Sequence, residues 1–261
     1  MSSLSKLYLS HMNAQTKYRA TWDPTKQLKI GYIGKLEQGV LSIYSSLDKE
    51  GIPLEVATDF SDAVMDYTSH DSVTITTKLS GSVPTVGSLF AASDMGFVFR
   101  FKNKEGIVFQ TNNHKVHQLV NLAAIEDMVL DKYKNGNWDK DWVIITELIE
   151  AGNATIIISN SSNGTLELKV NADTVTDKLS LTNASLALSV IREEGSTLKY
   201  IAQDGLTPLY RVMGIQHPFL RKLSFGVKGS RAYSITQDHD LRLQILDFDE
   251  RELDSNHGNI F

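Results

Sequence analysis

The side chains whose types and spacing could do chemistry are two histidines and a small acidic cluster. His114 and His117 stand three apart. On a helix that spacing places both imidazoles on one face, where they could share a metal ion. No glutamate stands beside them in a zincin pattern, so a polar helix start is the plainer reading. Asp238-His239-Asp240 could meet a cation, but its spacing is not that of an EF-hand and a charged surface accounts for it equally well. No GxSxG, phosphate-binding loop or glycine-rich dinucleotide fingerprint occurs, and no serine stands in a nucleophile-elbow context. The absence of cysteine excludes disulfides, thiolate ligands, a cysteine nucleophile and lipidation on sulfur. No catalytic residue, metal or cofactor is expected, and the chain does not read as an enzyme.

The elements that would position such residues are mostly strands. The stretch Trp138–Ser159 holds two β-branched apolar runs, 142–149 and 154–158, parted by Glu150-Ala151-Gly152-Asn153. Runs this short between turn residues predict a pair of buried strands at the centre of the fold. Before it, Val73, Ile75, Thr77 and Leu79 alternate with Ser72, Thr74, Thr76 and Lys78, and Gly81, Pro84 and Gly87 then interrupt. Phe97, Phe99 and Phe101 resume the alternation, and Asn103-Lys104-Glu105-Gly106 predicts a turn into a returning strand at 107–110. Residues 114–134 carry helical spacing without internal Gly or Pro and stop at Asn135-Gly136. After the centre, Leu166, Leu168 and Val170, then Leu186, Leu188 and Val190, alternate with polar residues. Strands at 28–33, 40–44 and 54–57, with a loop at 34–39, are predicted nearer the start, and Leu4, Leu7 and Tyr8 could lie on one face of a short helix. Residues 199–201 and 205–211 close the main body.

Charge divides the chain. The net charge is −5, which argues against a nucleic-acid partner. From Ala232 onward Asp238, Asp240, Asp247, Asp249, Glu250, Glu252 and Asp254 face only Arg242 and Arg251, so the excess acid lies there and the rest is neutral. A solvating tail need not carry Leu241, Leu243, Ile245, Leu246 and Phe248, so these predict a detachable segment that covers a basic surface. The N-terminus lacks a continuous apolar core, so no signal peptide is expected, and no window approaches the roughly eighteen apolar residues of a membrane helix. Membrane activity would need a barrel. Asn-x-Ser/Thr sequons at Asn153, Asn160, Asn163 and Asn183 read as incidental.

The order of elements resembles the pore-forming domain of gasdermins: alternating strands over 72–110, a long helix, an apolar strand pair and a second alternating pair over 165–190. The closest local likeness is Asp141-Trp142-Val143-Ile144-Ile145-Thr146-Glu147-Leu148-Ile149, similar to the strand after the long helix in that family. The size is similar to the compact bacterial and fungal members. The chain departs from the bacterial pattern in having no N-terminal cysteine to acylate.

The resemblance implies an α+β fold, a twisted and mainly antiparallel sheet with flanking helices, over residues 1–215, followed by an acidic, autoinhibitory segment at 216–261. It implies a cytoplasmic resting form. A protease releases the tail, and homo-oligomers then build a β-barrel from the inner face of the cell membrane, in cell-death defence. Two hairpins per subunit, from 72–110 and 154–190, would form the wall, with Val73, Ile75, Phe97, Phe99, Phe101, Leu166, Leu168, Leu186 and Leu188 toward lipid. Lys6, Lys17, Arg19, Lys102 and Lys104 would meet anionic headgroups. Leu241, Leu243, Ile245 and Phe248, with Asp247, Asp249 and Glu250, would form the inhibitory contact. Two other classes stay open: a non-enzymatic β-rich binding module that offers its sheet edges to a partner, and a hydrolase with an unrecognised site.

Overall fold

The computed structural model of the chain describes residues 3–84, 86–171, 179–181, 188–195, 197–201, 205–216 and 241–253. In chain order the first elements are α1 (Ser3–Thr16), β1 (Arg19–Ala20), β2 (Tyr32–Glu37), β3 (Val40–Ser46), β4 (Val56–Ser61), β5 (Met65–Asp66), β6 (Val73–Lys78) and β7 (Met95–Phe101). They are followed by β8 (Gly106–Asn112), β9 (His114–Leu119), α2 (Leu122–Lys134), β10 (Val143–Ala151), β11 (Asn153–Ser159), β12 (Thr165–Val170) and β13 (Leu188–Glu194). The last are β14 (Thr197–Ile201), β15 (Leu206–Gln216) and β16 (Arg242–Ile245), then a 3-10 turn at Glu250–Leu253. The fold is α+β, mostly antiparallel sheet with two helices among the described residues.

The strands form three sheets. The first runs β1-β15-β10-β2-β3, with β16 beside β15 and with β9 and then β4 beside the other half of β10. The second runs β14-β11-β8-β5 and the third β13-β12-β7-β6. The second sheet is covered on both faces. Val108 and Ile157 pack on the third sheet through Phe97, Phe99, Phe101, Leu166 and Leu168. Ile107, Phe109, Ile156 and Ile158 pack the other way, on Tyr8, Leu9 and Met12 of α1. A strand buried on both sides has no need of a polar alternate position, which is why β8 and β11 carry consecutive apolar residues at 107–109 and 156–158. α2 closes the first sheet, with Ile125, Val129 and Leu130 against Ile33, Ile144, Ile215, Leu241 and Leu243.

The first and second sheets are continuous through a corner. β8 passes into β9 at Asn113, whose φ is 49°, and β10 passes into β11 at Gly152. The Gly152 N–H points at the carbonyls of Asn112 (3.2 Å) and Asn113 (3.1 Å). A Cβ at 152 would lie 2.8 Å from the Asn113 carbonyl oxygen, so only glycine allows this approach. Gly152→Ala is expected to cost about 1–3 kcal/mol, read as a fall in the urea midpoint at unchanged m-value; wild-type stability would contradict the close approach.

This corner revises the predicted strand pair. The runs 142–149 and 154–158 are strands, but they lie in different sheets, β10 against β9 and β11 against β8. β7 and β8 likewise form no hairpin: β7 pairs with β6 and β12, while β8 pairs with β5 and β11. Stacked in adjacent layers, Phe97, Phe99 and Phe101 of β7 bury their rings against Val108 of β8, a contact that edge pairing would not make. The predicted helix over 114–134 starts only at Leu122; His114–Leu119 is a strand with ladder partners on both sides, β4 and β10. Those partners take up the backbone groups that a helix would have satisfied internally. Near the start, the predicted loop 34–39 is largely strand, turned tightly at Gln38-Gly39 where both φ are positive (51° and 75°).

Candidate functional site

The third sheet consists of two hairpins laid side by side. β6–β7 and β12–β13 are each antiparallel pairs, and β7 joins β12 with Phe99 opposite Leu166 and Phe97 opposite Leu168. Alternation along each strand sorts the side chains into two faces. The inner face carries Val73, Phe97, Phe99, Phe101, Leu166 and Leu168, all buried, with Ile75 and Leu188 half-buried at the edges. These are the predicted wall residues, brought together on one surface; Leu186 lies outside the described residues. The outer face carries Thr74, Thr76, Lys78, Arg100, Glu167 and Lys169, with Val98 buried among them. Both connections, 79–94 and 171–187, leave the sheet at the same end.

The first connection folds back over the outer face. The Lys78 ammonium donates to the carbonyls of Leu79 (3.3 Å), Ala92 (3.1 Å) and Asp94. The Glu167 carboxylate, itself buried, accepts the Leu89 N–H at 3.0 Å, and Arg192 donates to the Gly87 carbonyl. Lys169 pairs with Asp94 at 2.6 Å. Phe90 is buried against Gly96, where a Cβ would come within 2.7 Å of its ring. Lys78 and Glu167 read in the sequence as ordinary wet alternates; no local signal shows that a loop will cover them.

The C-terminal residues 241–253 are built into the body. β16 extends the first sheet along β15 beyond β1, and Leu241 and Leu243 enter the core under α2. Glu126 of α2 accepts the Leu243 N–H at 3.0 Å. Leu253 is buried with Tyr8, Leu9 and Met12, and Phe248 packs in the same cluster. Arg19, only 3% exposed, is the centre of this contact. Its guanidinium donates to both carboxylate oxygens of Glu252 (2.8 and 3.0 Å) and to the Asp247 carbonyl (2.8 Å), with the Phe248 ring 5.5 Å away. Ile245 is half exposed, Asp247 and Glu250 are exposed, and Asp249 pairs with Arg251, which holds its carboxyl down at about 2. Beside the contact, Lys17, Arg19 and Arg211 face residues 245–248 across a cavity of about 150 Å³.

Behind that cavity Arg211 lies 4.1 Å from the Tyr18 ring centre and pairs with Glu147 at 3.1 Å, while the Tyr18 hydroxyl donates to the same carboxylate. Burial, and then that hydrogen bond, push the Tyr18 phenol well above its ordinary value. Of the predicted headgroup residues, Arg19 is therefore occupied by the tail. Lys6 is half-buried on α1, and Lys17 is exposed just past its end. Lys102 and Lys104 are exposed on the turn at the far end of the third sheet from the two connections. Arg211 and Glu252, the residues that complete the basic surface and its cover, could not be singled out by spacing.

On β9, His114 and His117 point to opposite faces, because three residues along a strand is an odd number of steps. That removes the shared metal face a helix would have provided. Among the described residues no three His, Cys, Asp or Glu side chains converge as a metal site; Asp238-His239-Asp240 lies outside them. His117 instead bridges Thr58 (3.0 Å) and Glu150 (2.9 Å), and Lys115 reaches the other Glu150 oxygen at 3.0 Å. Burial alone would raise the Glu150 carboxyl, but hydrogen bonds from Lys115 and His117 pull it below its ordinary value. A depressed carboxyl adds stability that is present above its unfolded value of about 4.3 and lost as pH falls through the folded one. Glu150→Gln should therefore flatten the loss of urea stability between about pH 5 and pH 3; an unchanged slope would show that the pair does not matter.

Neither models of known protein families nor curated proteins match this chain. Among the described residues no helix is long and apolar enough to cross a membrane, which leaves strands untouched.

Proposed function

We propose that this chain is a membrane pore-forming effector of the gasdermin type, inactive while its C-terminal segment is docked. Proteolytic release of that segment leads to oligomerisation and to a β-barrel through the bilayer. The observation that carries the reading is the third sheet: two hairpins, one apolar face, one polar face, and both connections at one end. Its strands run six or seven residues, short of the roughly 9–11 that cross a bilayer. The connections at 79–94 and 171–187 contain enough chain to lengthen them. The wall would thus come from 73–101 and 165–194, a narrower pair of segments than the sequence suggested, with β8 and β11 left behind as the floor. Thr74, Thr76, Arg100 and Lys169 would face water in the barrel and the buried phenylalanines and leucines would face lipid.

The resting form belongs in the cytoplasm and the active form at the inner face of the cell membrane, with lipids, other copies of the chain and a protease as partners. Lys102 and Lys104, at the open end of the first hairpin, would stay with headgroups on the side of entry. Dye leakage from vesicles is the test, comparing the intact chain with one cut between Gln216 and Leu241. Leakage should follow the cut; none from either form would remove the reading.

A binding module is the second reading, and β4 favours it. β4 pairs only with β9 among the described residues, is exposed along almost its whole length, and presents Phe60 at 76% exposure. Such an edge has free backbone groups for an added strand.

A further inference from the structure

The connection 79–94 is turned inside out. Leu79, Val83, Val86 and Leu89 are 55, 92, 97 and 64% exposed. Several of its polar groups are bound within the loop or beneath it. Ser82 donates to the Leu79 carbonyl, the Ser88 hydroxyl accepts the Phe90 N–H (3.2 Å), and the Ala91 N–H is bound by the Asp94 carboxylate (2.8 Å). The Gly81 N–H reaches the Ala92 carbonyl at 2.9 Å, and Lys78, Glu167 and Arg192 hold the underside. Asp94 is the one ionisable residue in the segment, and Lys169 neutralises it.

A loop facing water ordinarily does the reverse. Aliphatic groups outward, with the one charge neutralised and the bound polar groups turned inward, is the arrangement that suits an apolar solvent. We infer that this loop docks the intact, uncut chain onto a lipid bilayer by setting Leu79, Val83, Val86 and Leu89 into the hydrocarbon layer. A protein partner fits less well. Protein hot spots favour Trp, Tyr and Arg, whereas Leu and Val are poor anchors there but partition favourably into membranes. The inference takes the bilayer as target from the pore-forming reading, but it concerns a step before any cut, while the loop is still folded back over the third sheet.

The chain has no cysteine, so Val86→Cys carries a single environment-sensitive dye. Added to the uncut protein, vesicles of phosphatidylcholine and phosphatidylglycerol should shift its emission to the blue, while the same dye at Lys134→Cys, exposed at the end of α2, stays unchanged. The pair Val83→Asp and Leu89→Asp should keep the wild-type Tm and lower vesicle co-sedimentation at least about tenfold. No shift at Val86→Cys overturns the inference. So does a shift that grows with protein concentration without vesicles, which would show that a second copy covers the loop. Leakage after the cut without a shift before it removes this anchor alone; a shift without leakage from the cut chain keeps the anchor and removes the pore.

Discussion

A chain carrying Met213→Cys and Ile245→Cys, cut between Gln216 and Leu241 and then kept oxidised, should leak vesicles no faster than the uncut protein; reductant should restore full leakage. The geometry suits the bond. Met213 lies opposite Ile245, and the Leu246 N–H donates to the Val212 carbonyl at 3.1 Å. That makes Val212 and Leu246 a hydrogen-bonded pair and their neighbours, Met213 and Ile245, a non-hydrogen-bonded one. Cα atoms in such pairs lie about 4.5 Å apart, within the range a disulfide spans. No native thiol competes. If oxidised, cut protein leaks as freely as the unlinked control, release of the segment is not the trigger.

The expected on/off contrast follows from what a cut does to the contact. Leu241, Leu243 and Leu253 are buried, each contributing about 1.5–3 kcal/mol by removal from water, and Arg19 adds a bidentate pair with Glu252. While the chain is whole, the segment meets its dock at an effective concentration of order millimolar. Once cut it is a separate peptide that dilution can carry away, and its occupancy then depends on concentration. No contact has to change at the moment of cutting.

The third sheet shows how far the sequence could be read. Alternation at 73–78, 95–101 and 165–170 placed the apolar faces correctly, because period-two burial is local information. Which strand neighbours which is not local. β7 and β8 are four residues apart in the chain and lie in different layers, since Phe97, Phe99 and Phe101 meet Val108 face to face. Residues 114–119 fit a helical pattern and became strand because β4 and β10 flank them. Of the tail's apolar positions, Leu241 and Leu243 are buried while Ile245 is half exposed. Arg19 as the tail's partner was not legible, because the pairing spans the length of the chain and rests on Glu252, one acid among many in that stretch.

That layering sets the harder requirement on the proposed function: the hairpin sheet must leave the second sheet before it can enter lipid. Ile157 and Val108 are the second sheet's side of that contact, and they have no place in the wall. Ile157→Ala should lower the stability of the intact chain by about 2–4 kcal/mol, the cost of truncating a fully buried isoleucine. Only the docked arrangement loses by it, so the same variant should leak faster after the cut, by up to about tenfold for each 1.4 kcal/mol that the separating step no longer costs. Phe99→Ala is the contrasting case. Phe99 is buried in the same cluster, so its stability loss should be similar at about 3–5 kcal/mol, but its ring would also face lipid, and its leakage should gain less or fall. Urea unfolding and leakage rates on the two variants separate the effects. If Ile157→Ala slows leakage in proportion to its instability, as Phe99→Ala does, the two sheets act as one body and the hairpins do not peel away.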